Sequence, residues 1–222
     1  WALYALIWTY ALPVQCLLVR QRTWYGASAT QRVEEFAQRI PHMLSSLGLA
    51  LAVVFGILAA MAMFSYLYNS RSACLIHALP VRREGLFLTN YVSGLICLLA
   101  PHLVIFLFTL AVEASGGYMD LRTAVIWLAV QSGMCLFFYS FAVFCAMFTG
   151  HLLALPLFYA IFNALAAALL ALLDTLISSF LYGYSGIPDQ VVEACYWLVP
   201  VVRLGSSLSW RRPDDQGIYE FS

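Results

Sequence analysis

Long uninterrupted apolar runs separated by short polar breaks dominate the chain. Spanning about 30 Å of hydrocarbon takes roughly 20 apolar residues in a helix. Five runs reach or approach that length: 1–19, 43–68, 86–112, 123–149 and 152–173. They are continuous, without the every-second-residue alternation of a barrel strand, so the pattern predicts helices. Tyrosines and tryptophans gather at their edges, at Trp24-Tyr25, Tyr66, Tyr68, Tyr118, Tyr182, Tyr184 and Tyr196-Trp197, the positions of interfacial anchors. The predicted fold class is all-α, a polytopic membrane protein of about five spans in a single domain.

The breaks differ in kind. Residues 20–42 read as a short amphipathic helix. Ser28 and Gln31 fit a capping box, Val33, Phe36, Ala37 and Ile40 share one face, Glu35 and Arg39 pair at i,i+4, and Pro41 ends it. After 173 the pattern is mixed. An apolar patch within 188–208 is interrupted by Glu193, Pro200 and Arg203, which predicts a re-entrant or interfacial segment. Two runs carry small residues every fourth position, Ala52-Gly56-Ala60 and Ala160-Ala164-Ala168, the spacing that lets helix backbones approach closely in lipid.

The break at 69–85 is the most specific. Asn69 or Ser70 caps a short helix of about 69–80, Leu75, Ile76 and Leu79 give it an apolar stripe, Arg71, Ser72 and His77 lie elsewhere, and Pro80 stops it. Arg82, Arg83 and Glu84 then mark the membrane surface before the next span. A surface helix pinned between two spans is suited to receiving a push from a soluble partner. Here the chain resembles the permease subunits of type 2 ABC exporters, most closely a group common in Gram-positive gut bacteria. Asn69-Ser70-Arg71, His77-Ala78-Leu79-Pro80 and Arg83-Glu84 carry the likeness, followed by Leu86-Phe87, Thr89-Asn90 and Ser93-Gly94 and, more loosely, by Phe137–Thr149 and the fifth run.

The resemblance implies that 69–80 is the coupling helix. It would contact a separate ATPase subunit through Arg71, Leu75, Ile76, His77, Leu79, Pro80, Arg82, Arg83 and Glu84. It implies a second permease copy or homologue as partner, residence in the plasma membrane, and six spans, with an N-terminal cytoplasmic segment and a sixth helix beyond this sequence. It also puts 69–85 on the cytoplasmic side. The arginine count alone predicts the opposite, since Arg20, Arg22, Arg32, Arg39 and Arg122 outnumber Arg71, Arg82 and Arg83.

Composition narrows the function further. Hydrophobic residues make up 63% of the chain and charged ones 10%, and the mean hydropathy is +0.85. Eleven arginines and eleven acids cancel, so no basic surface points to nucleic acid. Six cysteines stand singly with no metal-ligand spacing and read as small buried hydrophobes. There is no GxxxxGK[ST] loop, so ATP belongs on the partner and no cofactor is expected on this chain. HExxH and GxSxG are absent too. The polar residues inside or bordering the runs are His102, Gln131-Ser132, Asn163, Glu113 and Asp174. Intramembrane polar groups are functional candidates by default. Glu113 and Asp174 sit at span ends where water is expected to reach them, and helix–helix hydrogen bonding is the expected role of His102. An intramembrane enzyme would need these groups to converge. A non-transporting anchor or sensor would need no coupling helix.

Overall fold

The structure is a computed structural model, and it describes residues 2–14, 17, 44–69, 82–115, 121–181, 186–197 and 199–208. Every regular element among them is helical. Helix α1 (Ala2–Thr9) runs into a π-helical turn, Tyr10–Val14. A second π-helical turn, Leu44–Gly48, leads into α2 (Leu49–Phe64), which tightens into a 3₁₀ turn at Ser65–Tyr68. Then come α3 (Arg83–Ser115), α4 (Leu121–Phe148), α5 (Ala154–Phe180), α6 (Asp189–Tyr196) and α7 (Pro200–Leu208).

By length and composition, α2 with its 3₁₀ turn (Leu49–Tyr68), α3 and α4 are each able to cross a membrane. Helix α5 bends by 54° between Ala154–Leu165 and Ala167–Phe180, and makes a fourth span if the two halves act as one. The expected count was five. The first run is described as an apolar helix only over Ala2–Val14, short of the roughly 20 residues a span requires. The patch at 188–208 divides into α6 and α7, parted where Pro200 cannot continue the preceding helix.

Packing follows the small residues. On α2 the buried positions include Leu49, Ala52, Phe55, Gly56, Ala59, Ala60 and Phe64, a helical stripe that lies along α4. A Cβ added to Gly56 would come within 3.2 Å of the backbone of Phe138 and Tyr139, so glycine is what allows this approach. Helix α4 answers with Trp127, Met134, Cys135, Phe138, Ala142, Cys145 and Ala146, all sealed. The other stripe, Ala160-Ala164-Ala168, is exposed on α5 among the described residues. The outer faces stay apolar, with Leu103, Val104, Leu107, Phe108, Leu136 and Phe148 exposed. Apolar surface of this extent is what lipid solvates and water does not.

Helix α3 runs unbroken through Pro101. Its first turn, Arg82 to Gly85, is exposed. Phe87 meets Phe64 of α2 with ring centroids 5.7 Å apart, and Tyr91 donates to or accepts from Ser140 of α4 at 2.7 Å.

Candidate functional site

Halfway along the bundle, polar side chains from three helices meet in a sealed apolar setting. The Tyr4 hydroxyl of α1 lies 2.6 Å from His102 Nε2 of α3 and 3.4 Å from Cys135 Sγ of α4. Gln131, one turn before Cys135, sends Nε2 toward Tyr4 Oη at 3.5 Å, the Gly48 carbonyl at 3.3 Å and Cys135 Sγ at 3.7 Å. Cys135 Sγ and His102 Nε2 are 3.9 Å apart. Tyr4, His102, Gln131 and Cys135 all have 0% exposure. Aromatic rings close the surroundings: Phe55 lies 4.6 Å from the Tyr4 ring, and Trp127 lies 6.0 Å from His102 and 5.1 Å from Trp8.

Local sequence explains how these groups are delivered. Gln131 and Cys135 are i,i+4 on α4, so both face the same side. His102 follows Pro101 on the buried stripe of α3 with Leu98 and Ile105. Gly48 leaves room for the Gln131 amide, since a Cβ there would fall 2.6 Å from Gln131 Oε1 and turn that side chain aside. It also closes the π-helical turn whose carbonyl Gln131 reaches, and π turns inside helices recur at functional sites.

Donor capacity limits the proton arrangement to two alternatives. A tyrosine hydroxyl has one proton and the Gln131 amide nitrogen is donor only. With Gln131 donating toward Tyr4, the Tyr4 proton is available to His102 Nε2. If that proton goes to Nε2, the imidazole carries its own on Nδ1; if it goes to Cys135 Sγ, Nε2–H donates to the Tyr4 oxygen instead. Gln131 Oε1 is buried without a hydrogen-bond partner. The set can transmit a helix displacement as a change in hydrogen bonding. Among the described residues, no group of three or more His, Cys, Asp or Glu is placed to hold a metal ion.

Thus the structure brings His102 and Gln131 together and leaves Asn163 and Asp174 elsewhere. Asn163 donates to the Tyr159 carbonyl of its own helix at 3.0 Å. Asp174 is half-buried in a groove of about 350 Å³ shared with Gly186 and Val192. Glu113 corrects an expectation. It is fully buried, not water-reached. Tyr4 and Cys135 were the members that residue patterns did not reveal. No local pattern singles them out, since Tyr91, Tyr139 and Tyr159 also lie within apolar runs and belong to other contacts.

At the opposite end of α2, the Tyr68 hydroxyl lies 2.8 Å from the Ala146 carbonyl and 2.9 Å from Thr149 Oγ1. The 3₁₀ turn that leads into the 69–82 connection is therefore fastened to the end of α4. Of the coupling set, Arg71, Leu75, Ile76, His77, Leu79 and Pro80 lie outside the described residues. Arg82, Arg83 and Glu84 are exposed at the head of α3.

Comparison of the chain with family models, with curated proteins and with solved structures gives no match.

Proposed function

We propose that this chain is the membrane-spanning permease subunit of an ATP-driven ABC exporter in the plasma membrane. A separate ATPase subunit would hold the ATP, a second permease copy or homologue would complete the translocation path, and this chain would perform no catalysis itself. The observation that carries the reading is the setting of the 69–82 connection. It begins at a turn latched to α4 through Tyr68, Ala146 and Thr149, and it ends at the exposed Arg82-Arg83-Glu84 head of α3. Helices α2 and α3 both pack on α4. A force applied between residues 69 and 82 would therefore reach the centre of the bundle by two routes. The likeness of this same segment to exporter coupling helices supports the reading.

The test is co-purification of an ATPase subunit with the permease, together with ATP-dependent transport. Leu75→Asp and Leu79→Asp place a carboxylate where the partner's groove would take an apolar side chain. Burying an unpaired charge is strongly disfavoured, so both should abolish co-purification. Arg71→Glu should impair pairing less, because rim charges act more on specificity and association rate than on affinity. If both aspartate variants keep the ATPase and transport intact, the segment is not a coupling helix.

An intramembrane enzyme would draw on the Tyr4–His102–Gln131–Cys135 set. That set is sealed on all sides and hydrogen-bonded within itself, which supports a helix-packing role. An anchor or sensor would bind no ATPase, and the same co-purification separates it from a permease.

A further inference from the structure

The second half of α5, Ala167–Phe180, and the α6 segment that packs back on it border a groove of about 350 Å³. Small-molecule pockets occupy roughly 300–1,000 Å³. The α5 wall is Ala167, Leu170, Ala171 and Asp174, spaced i, i+3, i+4 and i+7, so a single helical face about 10 Å long lines it. Gly186, Ile187 and Val192 form the facing wall. Gly186 takes φ +97°, the left-handed region open to glycine, and brings no side chain to close the rim.

The lining is apolar save for one group. Asp174, half-buried, brings the only charge and the only side-chain oxygen among these lining residues. Among the described residues, no hydrogen bond or ion pair holds its carboxylate. Its polar neighbours behave otherwise, since Thr175, Ser178 and Ser179 return their hydroxyls to carbonyls of their own helix. An ionisable side chain on an apolar helix marks function by default. The chemistry of the lining then selects the ligand. A hard metal cation takes about six or more oxygens, and one carboxylate falls short. A quaternary ammonium is held by aromatic faces, and none lines the groove. A protonated amine needs one charged acceptor for its N–H and apolar surface for its body, and both are present.

We infer that this groove binds an amphiphilic amine in its protonated form, with the ammonium on Asp174 and the hydrophobic body along Ala167, Leu170 and Ala171. The site is independent of the coupling segment and stands whether or not an ATPase binds.

Fluorescence titration of the full chain in phosphatidylcholine nanodiscs tests it. Dansylcadaverine serves as the amine, its N-acetyl derivative as the uncharged counterpart, and empty nanodiscs as the baseline. The wild-type chain should bind the amine about fivefold more tightly than the acetylated form, between the scales of an exposed ion pair and a buried charge-assisted bond. Asp174→Asn should erase that preference. Glu193→Gln, which changes an exposed carboxylate of α6 outside the groove, should leave it unchanged. Ala171→Trp should weaken binding of both compounds with helicity and detergent stability intact, since Ala171 is an exposed residue of the groove wall. Equal binding of the two compounds by the wild-type chain would overturn the inference. So would a preference that survives in Asp174→Asn or disappears in Glu193→Gln, or undiminished binding in a folded Ala171→Trp.

Discussion

The Tyr4 hydroxyl stands 2.6 Å from His102 Nε2, so residues 98 positions apart in sequence share one short bond inside the bundle. This bond ties α1 to the middle of α3, and removing it exposes no group to water. Tyr4→Phe should therefore cost more than an ordinary hydrogen bond, because His102 and Gln131 lose a partner while still buried. Leaving buried polar groups unsatisfied costs about 1–3 kcal/mol. Unfolding of the chain in mixed micelles should show that loss, and a Tyr4→Phe/His102→Phe cycle should show coupling of about 1 kcal/mol, within the range found between membrane helices. Strictly additive single effects would mean that the two side chains do not interact.

Close packing between α2 and α4 makes a second expectation. Gly56→Leu would drive a side chain into the backbone at Phe138 and Tyr139, where nothing can rotate away. A destabilisation of about 1–3 kcal/mol is expected from overpacking. Ala164→Leu, on the exposed face of α5, should leave the stability of the single chain unchanged. Cross-linking of Ala164→Leu in membranes then reports whether a second copy uses that face. Equal stability of Gly56→Leu and the unmodified chain would show that the helices can part without cost.

Sidedness gives a third. The exporter reading puts the exposed residues Gly150 and His151 on the cytoplasmic side with Arg83, and Arg122 at the opposite surface. In a chain cleared of native cysteines, Arg122→Cys should react with a membrane-impermeant thiol reagent in intact cells. Gly150→Cys should react only after permeabilisation. The reverse pattern would agree with the arginine count and remove the coupling segment from the ATPase side.

Tyr68→Phe is the fourth. It keeps the ring and deletes the contacts to Ala146 and Thr149. Stability should fall by about 1 kcal/mol. ATPase co-purification should persist while transport per ATP hydrolysed declines, because the latch and not the docking surface is altered. Unchanged transport would mean that the start of the connection needs no fastening.

Much of the helical plan was legible because apolar length is a strong signal. The runs at 43–68, 86–112 and 123–149 became Leu49–Tyr68 with its π-helical lead, Arg83–Ser115 and Leu121–Phe148. Boundaries moved outward on α3 because Arg83 and Glu84 are as compatible with a solvated helical turn as with a loop. The 54° bend in α5 was not legible, since Ala164–Ala168 is a strong helix-forming stretch with no proline or glycine to mark a break. The two small-residue stripes look alike in sequence, yet Gly56 meets a backbone and Ala164 faces outward. Spacing reports that close approach is possible and says nothing of which neighbour arrives. Convergence of Tyr4, His102, Gln131 and Cys135 depends on how α1, α3 and α4 are placed against one another, information no local pattern holds. Glu113 was misjudged for the same reason: a carboxylate near a helix end is wet only if no other segment covers it.

Helix α3 runs 33 residues without interruption, about 48 Å at 1.5 Å per residue, against a hydrocarbon thickness of about 30 Å. A rod of that length acts as a mechanical lever with its fulcrum where His102 is held. Tilting it by about 5° swings one tip relative to the other by about 4 Å, shared between the two arms as roughly 2.5 Å and 1.7 Å, each enough to stretch a hydrogen bond past its normal range. A displacement of about 2.5 Å at the Arg83 tip would therefore arrive at Glu113 as an opposite one of about 1.4 Å, with no part of the helix unwinding.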